Sequence, residues 1–186
     1  MIEKIKKIRE MTGAGVVDIK KALEEAGGIE EKAVEILRLK GLQKAEKKGD
    51  RQVGEGAIFS YIHGNGKTAA LVKLHCETDF VSRNEEFCQL GRDLAMQVVA
   101  MSPKAVRAED IALEEIEKQQ AFWLKELEGS NKPEEIKEKI MTGKKEKFCQ
   151  ENSLLGQAFI KDPEKTVEEL VKEKIAKLGE NIQVGG

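Results

Sequence analysis

Three patterns predict an α+β fold: a small three-helix bundle, a linker, and a core of antiparallel sheet covered by helices, with a helical hairpin projecting from it. Apolar residues recur at helical spacing over residues 1–41, the period drops to two over 57–76, and helical spacing then returns with a break at 128–133 that folds a charged run back on itself. These changes divide the chain into a bundle at 1–41, a basic linker at 42–52 and a core at 53–186 that carries the hairpin at about 111–148.

Ile2, Ile5, Ile8 and Met11 step by three and read as one face of a first helix, which ends at Thr12-Gly13-Ala14-Gly15. Val16, Ile19, Leu23 and Ala26 carry a second helix to Gly27-Gly28, and Ile29, Ala33, Ile36, Leu37 and Lys40 a third to Gly41. A bundle of about 40 residues lies near the lower limit of independent stability and is too small to enclose a substrate pocket, so its use is a surface. Val17 stands about 100° round the helix from Val16, so a core-facing Val16 leaves Val17 in water. Flanked by Arg9 and Lys20, it forms either a docking patch or one of the scattered apolar residues every surface carries.

Leu42 to Gln52 has no apolar face and concentrates Lys, as a solvated linker does. Ala57, Phe59 and Tyr61 then alternate with Ile58, Ser60 and Ile62, the turn His63-Gly64-Asn65-Gly66-Lys67 follows, and Thr68 to Cys76 makes the second strand of a hairpin. Val72, Leu74 and Cys76 share one side of it; Leu71, Lys73 and His75 take the other, partly wet side. Glu86, Phe87, Leu90, Leu94, Val98 and Val99 outline a helix that covers the sheet. Ile111 to Leu127 and Glu134 to Phe148 are the two arms of the hairpin. Val167 to Leu178, preceded by Pro163 and capped by Gly179, is the last helix, and Ile182-Gln183-Val184 begins a last strand.

With 40% apolar and 35% charged residues the chain of 186 buries a core, and its 32 basic against 34 acidic side chains leave a net charge of -2. That balance supplies no general field toward nucleic acid or anionic lipid, so no direct nucleic-acid binding is expected. No apolar run is long enough to cross a bilayer, and Met1-Ile2-Glu3-Lys4-Ile5-Lys6 lacks the apolar centre of a signal peptide, which points to the cytoplasm. Cys76, Cys88 and Cys149 form no C-x-x-C pair, and His63 and His75 bring no zinc spacing; reduced thiols, no metal and no cofactor are expected. Gly66-Lys67-Thr68 matches the end of a phosphate-binding loop, but Tyr61 stands where the first glycine belongs and strand pattern runs on both sides. Carboxylates such as Glu24-Glu25 and Glu114-Glu115 lie on solvated helix faces, and no nucleophile has a partnered base. The chain therefore reads as a protein that acts by binding and is not an enzyme. A nucleotide hydrolase built on Gly64 to Thr68 and an adaptor or nucleic-acid module built on the bundle and linker stand as the rival readings.

The stretch Cys76-Glu77-Thr78-Asp79-Phe80-Val81-Ser82-Arg83-Asn84 sets one of only 6 Phe among polar residues between a strand and a helix. Such a ring is either a wedge for another molecule or a plug folded back into its own core.

That stretch and Ile8-Arg9-Glu10-Met11-Thr12-Gly13-Ala14-Gly15-Val16-Val17-Asp18-Ile19-Lys20-Lys21-Ala22-Leu23 resemble the two signatures of the bacterial elongation factor Ts family, the guanine-nucleotide exchange factors for elongation factor Tu. Ser153-Leu154-Leu155-Gly156-Gln157-Ala158-Phe159-Ile160 with Lys165-Thr166-Val167 is similar to the family's carboxy-terminal pattern, so the likeness covers nearly the whole chain. The resemblance implies that the bundle is like a ubiquitin-associated domain and that the alternative adaptor reading is of that type. It implies that the partner is elongation factor Tu, GDP-bound and nucleotide-free. It implies further that Asp79 and Phe80, framed by Thr78 and Val81, intrude near the partner's Mg²⁺ and phosphate loop, and that Arg9, Val16, Val17 and Lys20 contact the same G domain. Ser60-Tyr61-Ile62-His63-Gly64 resembles a segment of the duplicated core of longer members, which makes His63 a further contact and this chain similar to the short, unduplicated form, where a homodimer supplies the second copy. Two departures stand out: Val16-Val17 replaces a common Met-Met, and the chain stops at Gln183-Val184-Gly185-Gly186 where the family continues into a strand rich in Arg and Phe.

Overall fold

The computed structural model describes residues 1–129 and 133–186; of the break expected at 128–133, residues 130–132 lie outside the described part. In chain order the elements are α1 (Ile2–Thr12), α2 (Val16–Glu25), α3 (Glu30–Glu46), β1 (Glu55–Ile62), β2 (Ala69–Cys76), α4 (Asp79–Ser82), α5 (Glu85–Met101), α6 (Leu113–Glu128), α7 (Glu134–Asn152), β3 (Ala158–Phe159), β4 (Asp162–Thr166), α8 (Val167–Leu178) and β5 (Ile182–Val184). They fall into two compact units, Met1–Ala95 with Glu169–Gly186, and Met96–Glu168. The architecture is α+β.

In the first unit, α1 to α3 enclose Ile5, Ile8, Ile19, Ala22, Leu23, Ala26, Ala33 and Leu37. Gly13 closes α1 at φ 68°, a left-handed conformation that favours glycine, and its N–H donates to the Arg9 carbonyl at 2.8 Å. The four-residue face expected for α1 is half right. Ile5 and Ile8 are buried, whereas Ile2 and Met11 are exposed, because nine residues at about 100° each carry Met11 to the opposite side of the helix from Ile2. Val16 is also exposed rather than core-facing, since the buried stripe of α2 begins one turn later at Ile19.

The third helix does not stop at Gly41 but runs to Glu46, into the stretch read as linker. Gly41 is the point where α3 meets α8: a Cβ there would lie 3.2 Å from the Ala176 Cβ. Around that contact Arg38 pairs with Glu173 at 2.9 Å and Glu169 at 3.6 Å, and Lys172 with Glu46 at 3.4 Å. Tertiary packing offsets the roughly 1 kcal/mol that a mid-helix glycine costs.

The sheet is antiparallel in the order β1-β2-β5, with Phe59 opposite Val72, Ala57 opposite Leu74, and Leu74 opposite Val184. Helix α5 covers one face, where Val72, Leu74, Phe87, Leu90 and Leu94 are buried and the Phe59 and Phe87 rings meet edge to face at 5.8 Å. The other face carries Ile58, Ile62 and Leu71, all exposed.

The second unit contains the two arms α6 and α7, where Trp123 meets Phe148 edge to face at 5.9 Å and Lys144 lies 6.0 Å from the Trp123 ring centroid. A short ribbon, β3 paired antiparallel with β4, was not expected from the sequence. Fully buried Gln97 stabilises it: its side-chain N–H group donates to the Gln157 side-chain oxygen at 3.2 Å and the Ala158 carbonyl at 3.0 Å, and its oxygen accepts from the Ile160 N–H at 2.9 Å.

Candidate functional site

The stretch that leaves β2 is built as a capped single turn. Cys76 is buried at the strand end and its S–H donates to the Thr78 carbonyl at 3.2 Å. Thr78 is extended, and its hydroxyl oxygen accepts from the Val81 N–H at 3.5 Å, which starts α4. Ser82 closes the turn by donating to the Asp79 carbonyl at 2.8 Å, and the Asn84 side chain accepts from the Glu86 N–H at 2.8 Å, which opens α5. One position apart on a helix means about 100°, so the burial of Val81 turns Phe80 outward. Phe80 is 83% exposed and Val81 only 9%. The ring is therefore not a plug. Asp79 is half-buried, with its carboxylate 3.3 Å from Arg83.

The base of the turn is fixed by the segment after α8. The Glu180 carboxylate accepts from the Thr78 N–H at 3.0 Å and from the Thr78 hydroxyl at 2.7 Å. Beside it, the Asn181 N–H donates to Glu77 at 2.6 Å, and the Asn181 side chain, buried, donates to the Gly49 and Arg51 carbonyls at 3.1 and 2.8 Å. Sequence reasoning missed both residues. The only local signal is a polar pair wedged between a glycine-capped helix and a strand, and it does not name its partners.

Electrostatics reinforce the same region. Hydrogen bonds from the Lys174 and Lys177 ammonium groups hold the Glu86 carboxyl down at about 2. The Lys177 contact is 2.8 Å long. Burial, followed by the nearby Glu180 charge, pushes the Cys76 thiol up to about 11, so it is protonated and unreactive at neutral pH.

The other residues singled out from the sequence fall into two places. Arg9, Val16, Val17 and Lys20 are all exposed at the α1–α2 junction, and Val16, Val17 and Lys20 lie within an arc of about 100° on α2. Met11, assigned to the core by its spacing, is exposed at the same junction. A Cβ at Gly13 would stand 2.6 Å from the Lys177 Cγ, so the junction rests on the stem of the lysine that holds Glu86. His63 is elsewhere. It sits exposed at the β1–β2 tip, its N–H donating to the Thr68 carbonyl at 2.8 Å and its ring 3.4 Å from the Tyr61 hydroxyl. The structure does not bring it to the Phe80 turn, because the two occupy opposite ends of β2, about 24 Å apart along the strand. Lys67 and Thr68 lead directly into β2 and not into a helix, so the phosphate-loop likeness has no helix N-terminus behind it. Among the described residues no helix is long and apolar enough to cross a membrane.

A family model described as Elongation factor TS matches residues 2–185. The Elongation factor Ts of Thermosipho melanesiensis is 53% identical over 180 residues, covering 97% of this chain and 92% of that protein. That of Thermodesulfovibrio yellowstonii is 52% identical, with 97% and 89% covered, and that of Fervidobacterium nodosum 49%, with 97% and 91% covered.

Proposed function

Because the chain belongs to the elongation factor Ts family, we propose that it is a guanine-nucleotide exchange factor that grips the G domain of elongation factor Tu in the cytoplasm. In this reading it promotes GDP release by disturbing the partner's Mg²⁺ and phosphate site. Arg9, Val16, Val17 and Lys20 dock the bundle, with residues 1–41 serving as the docking module; Asp79 and Phe80 intrude, with Thr78 and Val81 holding the turn. His63, at the far end of the hairpin, makes an outlying contact. A homodimer through the uncovered sheet face, where Ile58, Ile62 and Leu71 are exposed, is the assembly we favour.

Exchange is a coupling between two ligands of one protein. A factor that prefers the nucleotide-free partner weakens GDP by the same ratio as GDP weakens the factor, and each tenfold corresponds to about 1.4 kcal/mol. Burying one Phe contributes about 1.5–3 kcal/mol. Phe80 therefore accounts for one to two decades, and the Asp79 carboxylate near the metal supplies part of the rest. No group on this chain needs to transfer a proton or form a covalent bond for that.

The observation that supports the reading most is the outward Phe80 ring on a turn hydrogen-bonded at its base. Stopped-flow release of fluorescent GDP from elongation factor Tu tests it: Phe80→Ala is expected to slow release at least tenfold at saturating factor, and an unchanged rate overturns the wedge. Isothermal titration of this chain alone with GDP and GTP is expected to give no binding heat. A binding isotherm would favour the hydrolase.

A further inference from the structure

We infer that Glu180 is a positioning residue for the Phe80 turn, an inference that rests on the wedge reading above. The carboxylate uses both oxygens on one residue, one on the Thr78 N–H at 3.0 Å and the other on the Thr78 hydroxyl at 2.7 Å. A hydroxyl has one proton. Once that proton points to Glu180, the oxygen lone pairs are turned toward the Val81 N–H, which is the bond that starts α4. Glu180 thus orients the cap, the cap sets the turn, and the turn aims Phe80.

Position 180 is itself held from both sides. On one, Gly179 ends α8 with its N–H on the Ile175 carbonyl at 3.0 Å and φ 83°. On the other, Asn181 is tied to Glu77, Gly49 and Arg51, and Ile182 stands opposite Cys76 in the sheet. A side chain anchored this way makes a fixed strut. Its replacement should lower the maximal rate of GDP release while leaving the concentration for half-saturation close to wild type, because the α1–α2 junction is untouched.

The test uses the full chain with elongation factor Tu and fluorescent GDP. Glu180→Gln preserves shape but places an amide NH₂ against one of the two Thr78 donors, and it is expected to cut the maximal release rate about tenfold, as loss of a charge-assisted bond does. Glu180→Ala should fall at least as far. Thr78→Val combined with Glu180→Gln should be no slower than either alone, since both break one path. By two-dimensional NMR, Val81 amide exchange should quicken in Glu180→Gln while sheet amides keep their protection. If Phe80→Ala leaves release unchanged, the wedge and this inference fall together. If Phe80→Ala slows release but Glu180→Gln runs at the wild-type maximum, or the two changes add, or only half-saturation moves, Glu180 is structural and this inference alone is overturned. A Glu180→Ala chain that does not fold leaves the decision with the Gln variant.

Discussion

Gly91 lies against the Phe59 ring, so close that a Cβ at position 91 would stand 2.0 Å from the Phe59 Cδ2. The buried Phe87 ring meets Phe59 edge to face and restricts its movement. On helix propensity alone, Gly91→Ala would gain about 1 kcal/mol. Overpacking costs about 1–3 kcal/mol and wins here. Urea unfolding of Gly91→Ala is expected to show a lower midpoint, and Gly91→Ala with Phe59→Leu to recover part of it.

The Glu86 carboxyl offers a pH test. Held at about 2 instead of its ordinary 4.5, it contributes stability that is complete above pH 4.5 and is lost as the pH falls through 2. Solvent screens the partly exposed group, so the loss in Glu86→Gln at neutral pH should stay under about 1 kcal/mol. Thermal melts should show that difference shrinking below pH 4.5 and disappearing near 2.

Cys76 should resist alkylation in the folded protein. With its thiol raised to about 11 and buried, it has neither thiolate nor access at pH 8. Mass spectrometry after iodoacetamide is expected to find Cys76 unlabelled in native protein and labelled in 6 M urea, a concentration of about the order that unfolds small domains.

Val17→Ala separates docking from folding. Val17 is 66% exposed, so the substitution should leave the melting temperature in place. In a complex that buries it, the two lost methyl groups are worth about 1.5 kcal/mol, which predicts roughly tenfold faster dissociation from elongation factor Tu with little change in association. Surface plasmon resonance reads both rates.

Much of the architecture was legible because its signals are local. The β1–β2 hairpin follows from alternation and a glycine turn, and α5 from Phe87, Leu90 and Leu94 at helical spacing. The rest depends on partners far away in the chain. Nothing near Gly41 says that α3 continues, since the reason is Ala176. The β3–β4 ribbon is too short to carry a period and contains Pro163, and its stability comes from Gln97. For the candidate site, the outward Phe80 could be suspected from its polar neighbours, but its support by Glu180 joins residues 102 positions apart. In α1, Ile2 and Met11 fall outside the buried face because steps of three drift steadily around a helix with 3.6 residues per turn.

The Lys177 side chain touches the bundle with its stem and α5 with its charge, while Gly41 seats α3 on Ala176. On the proposed exchange function, Val17 and Phe80 then act as the jaws of a caliper whose gap was set when the chain folded. In that proposal a partner that engages one jaw meets the second without a further search, and one whose own features are spaced differently is disfavoured.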